Sequence, residues 1–300
     1  MHNQKKAYIF AILAVLCWST VATAFKIALK YADFIQLLFF TSFISCIVLF
    51  FIMLIQNKLG LFKQANSTSI LTSLALGILN PFLYYIVLFK AYSILPAQEA
   101  MTLNYTWPIM LIILSIPLLK QKLSLKSALA VAISFFGIFI ISAKGNILDF
   151  KFSNLYGDLL AIGSSVIWAL FWLFNMKDNK DSVLKLFLNF LSGSIMSLIL
   201  LYFTTGFNIN QNAFPAFAYI GVFEMSLTFV FWLTALKYSY STDKVSQLIF
   251  LSPFLSLFFI FFIIGEKIHI STVIGLVFII LGIVLQQLFK MKVNLKSKNE

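Results

Sequence analysis

Glu99-Ala-Met-Thr-Leu-Asn104-Tyr105-Thr-Trp107-Pro108 places a carboxylate, an amide, a phenol, an indole and a proline within about three helical turns. The stretch lies inside an apolar segment, Leu95 to Leu119, that is long enough to cross a bilayer. Hydrocarbon gives no reason to keep such groups, because each unpaired polar group there costs several kcal/mol. A carboxylate within a span marks a functional site by default. The plainer alternative is a proline kink flanked by interfacial aromatics. At roughly 1.5 Å per residue, Tyr105 and Trp107 sit about 15–18 Å into the segment, too deep for an interfacial belt. The stretch therefore reads as the wall of a binding cavity inside the membrane.

Composition sets the class around it. Hydrophobic residues make up 61% of the 300-residue chain, charged residues 11%, and the mean hydropathy is +0.97. Soluble domains have about 45–50% apolar and about 25% charged residues, so this is a polytopic membrane protein. The net charge of +12 comes from 22 lysines with no arginine. The lysines fall mostly between apolar segments, which fits topology signals and anionic-lipid contacts and excludes a nucleic-acid face. Without arginine the usual bidentate fork for phosphate is missing, which argues against a phosphorylated solute. Cys17 and Cys46 have no metal-ligand spacing and read as small apolar fillers.

Ten apolar runs follow one another, starting with Ala7–Leu29, Phe34–Ile55, Ile70–Phe89, Leu95–Leu119 and Leu125–Ser142. Tyr156–Met176, Val183–Thr204, Ala213–Leu236, Val245–Ile264 and Ile270–Phe289 complete the set. Each is near the roughly 17–25 residues of a crossing helix, so the fold class is an all-α integral membrane protein of ten transmembrane helices. Ala22-Thr23-Ala24 resembles a leader-peptide cleavage site, but the apolar run is long for a leader and more spans follow. With the N-terminus inside, 16 lysines fall on the cytoplasmic side and six outside, so the positive-inside rule puts both termini in the cytoplasm.

The chain also matches itself. Shifted by 145 residues, Pro108 meets Pro253, Lys122 meets Lys267 and Gly137 meets Gly282; outside that strict register, Trp18 of the first helix similarly answers Trp168 of the sixth. Generic Leu/Ile/Phe composition aligns with itself at any offset, but coincident prolines, glycines and lysine-centred loops do not follow from it. Residues 1–145 and 155–290 thus read as two five-helix repeats, with 291–300 a polar cytoplasmic tail. An odd helix number makes the second repeat inverted, the signature of secondary transporters with a midplane site.

These residues resemble a known family. Ala-Leu-Lys-Tyr, Leu-Ser-Pro-Phe, Gly-Glu-Lys and Gly282-Ile-Val, between Ala235 and Val284, are similar to an EamA domain of the drug/metabolite transporter superfamily. Asn104-Tyr-Thr-Trp-Pro108 resembles the Asn-Tyr-x-Trp-Pro motif of the YddG-type aromatic amino-acid exporters. The resemblance covers nearly the whole chain at the level of fold. It implies two inverted halves, both ends cytoplasmic, and a central cavity from helices 1, 3, 4, 6, 8 and 9. The cavity aromatics it implies are Tyr105 and Trp107 on helix 4, Trp168 on helix 6, and Tyr84 or Tyr85 on helix 3. Glu224 and Trp232 depart from the aromatic exporters' pattern.

Helical spacing adds to this independently. At about 100° per residue, Glu99, Leu103 and Thr106 share a face with Trp107 beside it, while Tyr105 points nearly opposite Trp107. One of the two should then face lipid or a neighbouring helix. Ser164, Ser165, Trp168, Trp172 and Asn175 form one stripe on helix 6, too polar for lipid; a seam of small residues is the alternative. Glu224, Thr228, Phe231 and Ala235 align on helix 8, with Trp232 alongside. Glu224 is near mid-span, where an ionised carboxylate is costly. Aromatic faces hold rings or ammonium groups, about 0.5–2 kcal/mol per cation–π contact. Glu99 or Glu224 suits an amine or a coupling proton, and Asn104, Gln247 and Thr228 suit a carboxylate or amide. The candidate solute-binding set is Trp18, Tyr84, Tyr85, Glu99, Asn104, Tyr105, Trp107, Trp168, Trp172, Glu224, Thr228, Trp232 and Gln247.

The reading is an inner-membrane carrier, an exporter of small amphipathic metabolites, amino acids foremost, working by alternating access. A vitamin, nucleoside-like compound or drug is the alternative solute. The partners are that solute and the lipid bilayer, with no nucleic acid and no cofactor or metal; monomer and homodimer both stay open. Catalysis lacks its groups, since the two histidines are His2 at a terminus and His269 in a loop. No glycine-rich phosphate loop supports ATP-driven pumping. A lone Glu224 does not make the charge ring of a channel.

Overall fold

The long apolar runs fold into helices, and the computed structural model contains no strand among its described residues. Those are residues 3–64, 66–119, 125–142, 154–175, 178, 180–240, 245 and 247–296. Seven helices are long and apolar enough to cross a membrane. They are α1 (Gln4–Leu29), α2 (Phe34–Ile55), α3 (Ser67–Ile94), α4 (Ala97–Leu118), α6 (Leu155–Asn175), α7 (Ser182–Phe203) and α8 (Gln211–Tyr238). Three further helices carry shorter apolar stretches: α5 (Leu125–Ser142), α9 (Leu248–Ile264) and α10 (Ile270–Lys296). Lys120, Lys122, Lys144, Lys151, Lys177 and Lys244, which weigh in the lysine bias, lie outside the described residues, as do residues 297–300 of the tail.

Helix starts are set by local side chains. Asn3 caps α1 by accepting the Lys6 N–H at 3.1 Å. Asp33 caps α2, accepting the Ile35 N–H at 2.7 Å, while its own N–H donates to Gln36 Oε1 at 3.1 Å, a capping box. Three helices are interrupted where the site forms. In α3, Asn80 leaves helical geometry at φ −145°, ψ 119°, just before Pro81, which has no N–H to donate. In α8, Ile220–Leu227 widens into a π-type turn carrying Glu224, a feature that often marks functional positions. In α4, Tyr105 and Thr106 form a turn between Ala97–Asn104 and Trp107–Leu119.

The packing joins the N-terminal five helices to the C-terminal five. α1 lies against α8 and α9, α6 lies against α3 and α4, α2 packs on α7, and α5 packs on α10. Connections are tied by ion pairs. Lys58 pairs with Asp181 at 2.7 Å and Lys180 with Asp178 at 2.9 Å. Burial pulls both carboxyls up, but hydrogen bonds from Lys180 and Ser73 to Asp178, and from Lys58 to Asp181, outweigh it and hold them below the usual carboxylate range.

The α5–α10 seam depends on glycine. A Cβ at Gly282 would stand 2.5 Å from the Ala130 carbonyl oxygen, and one at Gly137 2.5 Å from that of Gly275, so the two backbones touch. Gly282→Val forces them apart. Overpacking of this kind costs about 1–3 kcal/mol, so a lowered Tm in detergent is expected. An unchanged melting curve would mean that the seam is looser than its backbone contacts imply.

Candidate functional site

A cavity lies among α1, α3, α4, α6, α8 and α9, with about 90 Å³ of solvent-accessible space. At roughly 10–15 Å³ per water that is on the order of half a dozen waters, enough for a small solute's polar end. All five tryptophans of the chain line it: Trp18, Trp107, Trp168, Trp172 and Trp232. Tyr84 and Trp168 lie with ring centroids 4.6 Å apart, Trp168 meets Trp172 edge-on at 5.9 Å, and Trp18 meets Trp232 at 5.3 Å. Such offset and edge contacts are the favoured aromatic geometries.

The polar groups form a chain behind these rings. The Tyr84 hydroxyl donates to Asn104 Oδ1 at 3.3 Å, and Asn104 Nδ2 donates to Ser164 Oγ at 2.8 Å. Thr106 Oγ1 and Ser165 Oγ are 3.0 Å apart, and the Tyr105 hydroxyl donates to the Ile249 carbonyl at 2.8 Å. Glu224 is the one Asp, Glu, Lys or His among the cavity's lining residues, and it is 7% exposed. Its Oε1 accepts from the Tyr85 hydroxyl at 3.2 Å, and its Oε2 has no partner among the described residues. A carboxylate so placed is stable only when a cation or a proton joins it.

Of the residues singled out from the sequence, Trp18, Tyr84, Asn104, Tyr105, Trp107, Trp168, Trp172, Glu224 and Trp232 line the cavity. Tyr105 and Trp107 both do so, although helical spacing set them nearly opposite. The turn at Tyr105–Thr106 resets the angle between them, and the Tyr105 hydroxyl at the same time reaches the neighbouring α9. Tyr85 is fully buried behind the wall and touches the site through Glu224. Thr228 turns back onto its own helix, donating to the Phe223 carbonyl. Glu99 is buried in the first turn of α4, away from the lining. The side chain of Gln247 lies outside the described residues.

Among the lining residues that the sequence reading missed are Phe25, Leu88, Tyr92, Ile249 and Ser252. A signal was present for each. Leu88 and Tyr92 follow Tyr84 at successive i+4 steps, Phe25 follows Trp18 at i+7, and Ile249 and Ser252 are the 145-residue counterparts of Asn104 and Trp107.

The end of the bundle that holds the α3–α4 and α9–α10 connections is closed by polar contacts. Lys26 Nζ donates to the carbonyls of Tyr92 at 2.8 Å and Leu95 at 2.7 Å, capping the end of α3. Glu266 accepts the Ala97 N–H at 2.8 Å at the start of α4, where the helix dipole favours an anion. The Gln98 side chain donates to the Lys267 carbonyl and accepts from the His269 N–H, both at 2.9 Å. Gly265, at φ +78°, makes the left-handed turn that ends α9 just before Glu266.

Helices of membrane-crossing length packed around an aromatic, acid-bearing cavity define a multi-pass membrane protein. The chain belongs to the EamA-like transporter family, which it matches over residues 5–143 and 155–286. It is thus a multi-pass membrane transporter. It is 25% identical over 286 residues to the uncharacterized transporter YoaV of Bacillus subtilis, covering 93% of this chain and 95% of that one. An uncharacterized transporter of Clostridium kluyveri is 27% identical over 302 residues, covering 97% and 96%. A crystal structure superposes with a TM-score of 0.67 at 18% identity, over 97% of this chain and 99% of its own, which shows the shared fold.

The Tyr85–Glu224 contact is open to a double-mutant test. Tyr85→Phe leaves the carboxyl with neither oxygen paired and is expected to destabilise by about 1–3 kcal/mol. In the background of Glu224→Leu the same change should cost far less. Equal losses of Tm in both backgrounds would show that the hydroxyl does not serve Glu224.

Proposed function

We propose that this protein is a secondary transporter of the inner membrane that exports small amphipathic metabolites, amino acids foremost, by alternating access. One observation carries the reading: five tryptophans and a single carboxylate converge on one cavity. Trp and Tyr faces attract an ammonium or an apolar ring, and Glu224 supplies the counter-charge an ammonium needs inside the membrane. The small cavity favours solutes of amino-acid size over bulky drugs.

The halves 1–145 and 155–290 act as inverted five-helix repeats, ten transmembrane helices in all, with both termini in the cytoplasm. Several facts support this. The family match falls in two stretches of similar length. The packing pairs are those a two-fold axis exchanges: α1 on α8 with α6 on α3, α1 on α9 with α6 on α4, and α2 on α7 and α5 on α10 mapping onto themselves. Trp18 and Ala22 line the cavity from α1 as Trp168 and Trp172 do from α6. In this orientation the Lys26–Glu266 cluster closes the outer face, and it must open to release the solute.

The reading is tested by thermal-shift screening against amino acids, vitamins and nucleosides, repeated with Glu224→Gln and Trp107→Ala. Stabilisation by an amino acid is expected, worth about 2.7 kcal/mol at a hundredfold excess over Kd, and lost in both variants. Stabilisation by another solute class would replace the substrate and keep the carrier. Binding unchanged in both variants would move the site elsewhere.

A further inference from the structure

Beyond the main cavity a second chamber of about 20 Å³ lies between α6, α7 and α8, lined in part by Phe171, Trp172, Asn175, Ser182, Lys185 and Phe229. At about 10–15 Å³ per water it holds one or two waters, or a carboxylate group of similar bulk. Trp172 lines both chambers, so its indole is the partition between them. Phe229 lies roughly 8 Å further along α8 than Glu224, at about 1.5 Å per residue, toward the α6–α7 connection. In the orientation proposed above that is the cytoplasmic side.

The chemistry of this chamber is opposite to that of the main cavity. The Trp172 indole nitrogen is buried with no acceptor among the described residues; Asn175 Oδ1, an acceptor beside it, has no donor among them, and a solute N–H rather than a carboxylate would answer it. Lys185 Nζ donates to the carbonyls of Asn175 at 3.3 Å and Asp178 at 2.7 Å, which uses two of its three N–H groups. The nearby carboxylates are already engaged, Asp178 by Lys180 and Asp181 by Lys58. A buried indole N–H and an ammonium with a donor to spare, in a space the size of a carboxylate, favour an anionic group.

We propose that this chamber is a second solute site, an antechamber that takes the carboxylate of a small solute on the Trp172 indole N–H and the Lys185 ammonium before the solute passes Trp172 to meet Glu224. It rests on the reading of the protein as a carrier of amino-acid-like solutes. The two chambers would then handle opposite ends of a zwitterion in sequence, the anionic end first.

The test follows the indole N–H signals of the five tryptophans by NMR on the full-length protein labelled with ¹⁵N, with Trp172 assigned by its loss in Trp172→Phe. The probes are 3-phenylpropionate, phenethylamine and L-phenylalanine. The expected result is a saturable shift of the Trp172 signal with 3-phenylpropionate, weakened about tenfold or more in Lys185→Gln and retained in Lys185→Arg. The response to phenethylamine should not change in Lys185→Gln. A Trp172 signal that 3-phenylpropionate leaves unmoved overturns the antechamber, and this wild-type titration needs no variant to fold. Equal weakening of all three probes by Lys185→Gln also overturns it, because Lys185 would then serve only to cap α6. If L-phenylalanine moves the other indoles while 3-phenylpropionate leaves Trp172 still, the carrier reading survives and the antechamber falls. If 3-phenylpropionate moves Trp172 but neither amine-bearing probe moves any signal, the amino-acid reading falls and the antechamber falls with it, leaving only a site for simple anions.

Discussion

A polar group within hydrocarbon has to find its partner inside the protein, and in this chain the partner regularly comes from the opposite half of the sequence. Asn104 bonds to Ser164, Thr106 to Ser165, Tyr105 to the Ile249 carbonyl and Tyr85 to Glu224. The aromatic contacts Tyr84–Trp168 and Trp18–Trp232 span the same divide. Because unpaired groups cost several kcal/mol each in lipid, these bonds fix the mutual position of the halves more tightly than apolar packing alone could. In a membrane, lipid tails compete with Leu and Ile for apolar contact, so shape and polar pairing carry the specificity.

The cavity is the place where that pairing stops short. Glu224 has one oxygen satisfied by Tyr85 and one left over, with no lysine among the lining residues to answer it. An ionised carboxylate left so is costly, and a cation or a proton would offset that cost. At the end bearing the α3–α4 connection the reverse holds: Lys26, Glu266 and Gln98 are well supplied with helix-end partners. The polar groups are thus saturated at that end of the bundle and left short of partners at Glu224.

Much of this was legible in the sequence, for specific reasons. Apolar runs of crossing length leave little choice of fold, and their observed ends differ by a few residues, as where α3 runs Ser67–Ile94 against a reading of Ile70–Phe89. Tryptophans at depth, together with Asn104 and Glu224, stood out because nothing in lipid would keep them. What spacing missed came from broken helices. A uniform angle per residue fails across the Tyr105–Thr106 turn, and it cannot foresee the widened turn at Ile220–Leu227 that carries Glu224. Glu99 looked like Glu224 in sequence but lies in the first turn of α4, away from the lining. Only the three-dimensional path of the helix separates two such carboxylates. Ile249 and Ser252 were hidden because they are unremarkable residues whose importance comes from their counterparts Asn104 and Trp107.

The crossing of partners between halves also bears on how the chain is made. Synthesis runs from the N-terminus, so α1 to α5 reach the bilayer while the residues that satisfy Asn104, Thr106 and Tyr85 do not yet exist. Hydropathy alone must hold these first helices in place, and their polar groups must be sheltered by water, lipid headgroups or the insertion machinery until α6 and α8 arrive. α10, made after both, then closes on α5 along a glycine seam. Until then the half-made cavity wall carries Asn104, Thr106 and Tyr85 without the partners that α6 and α8 bring.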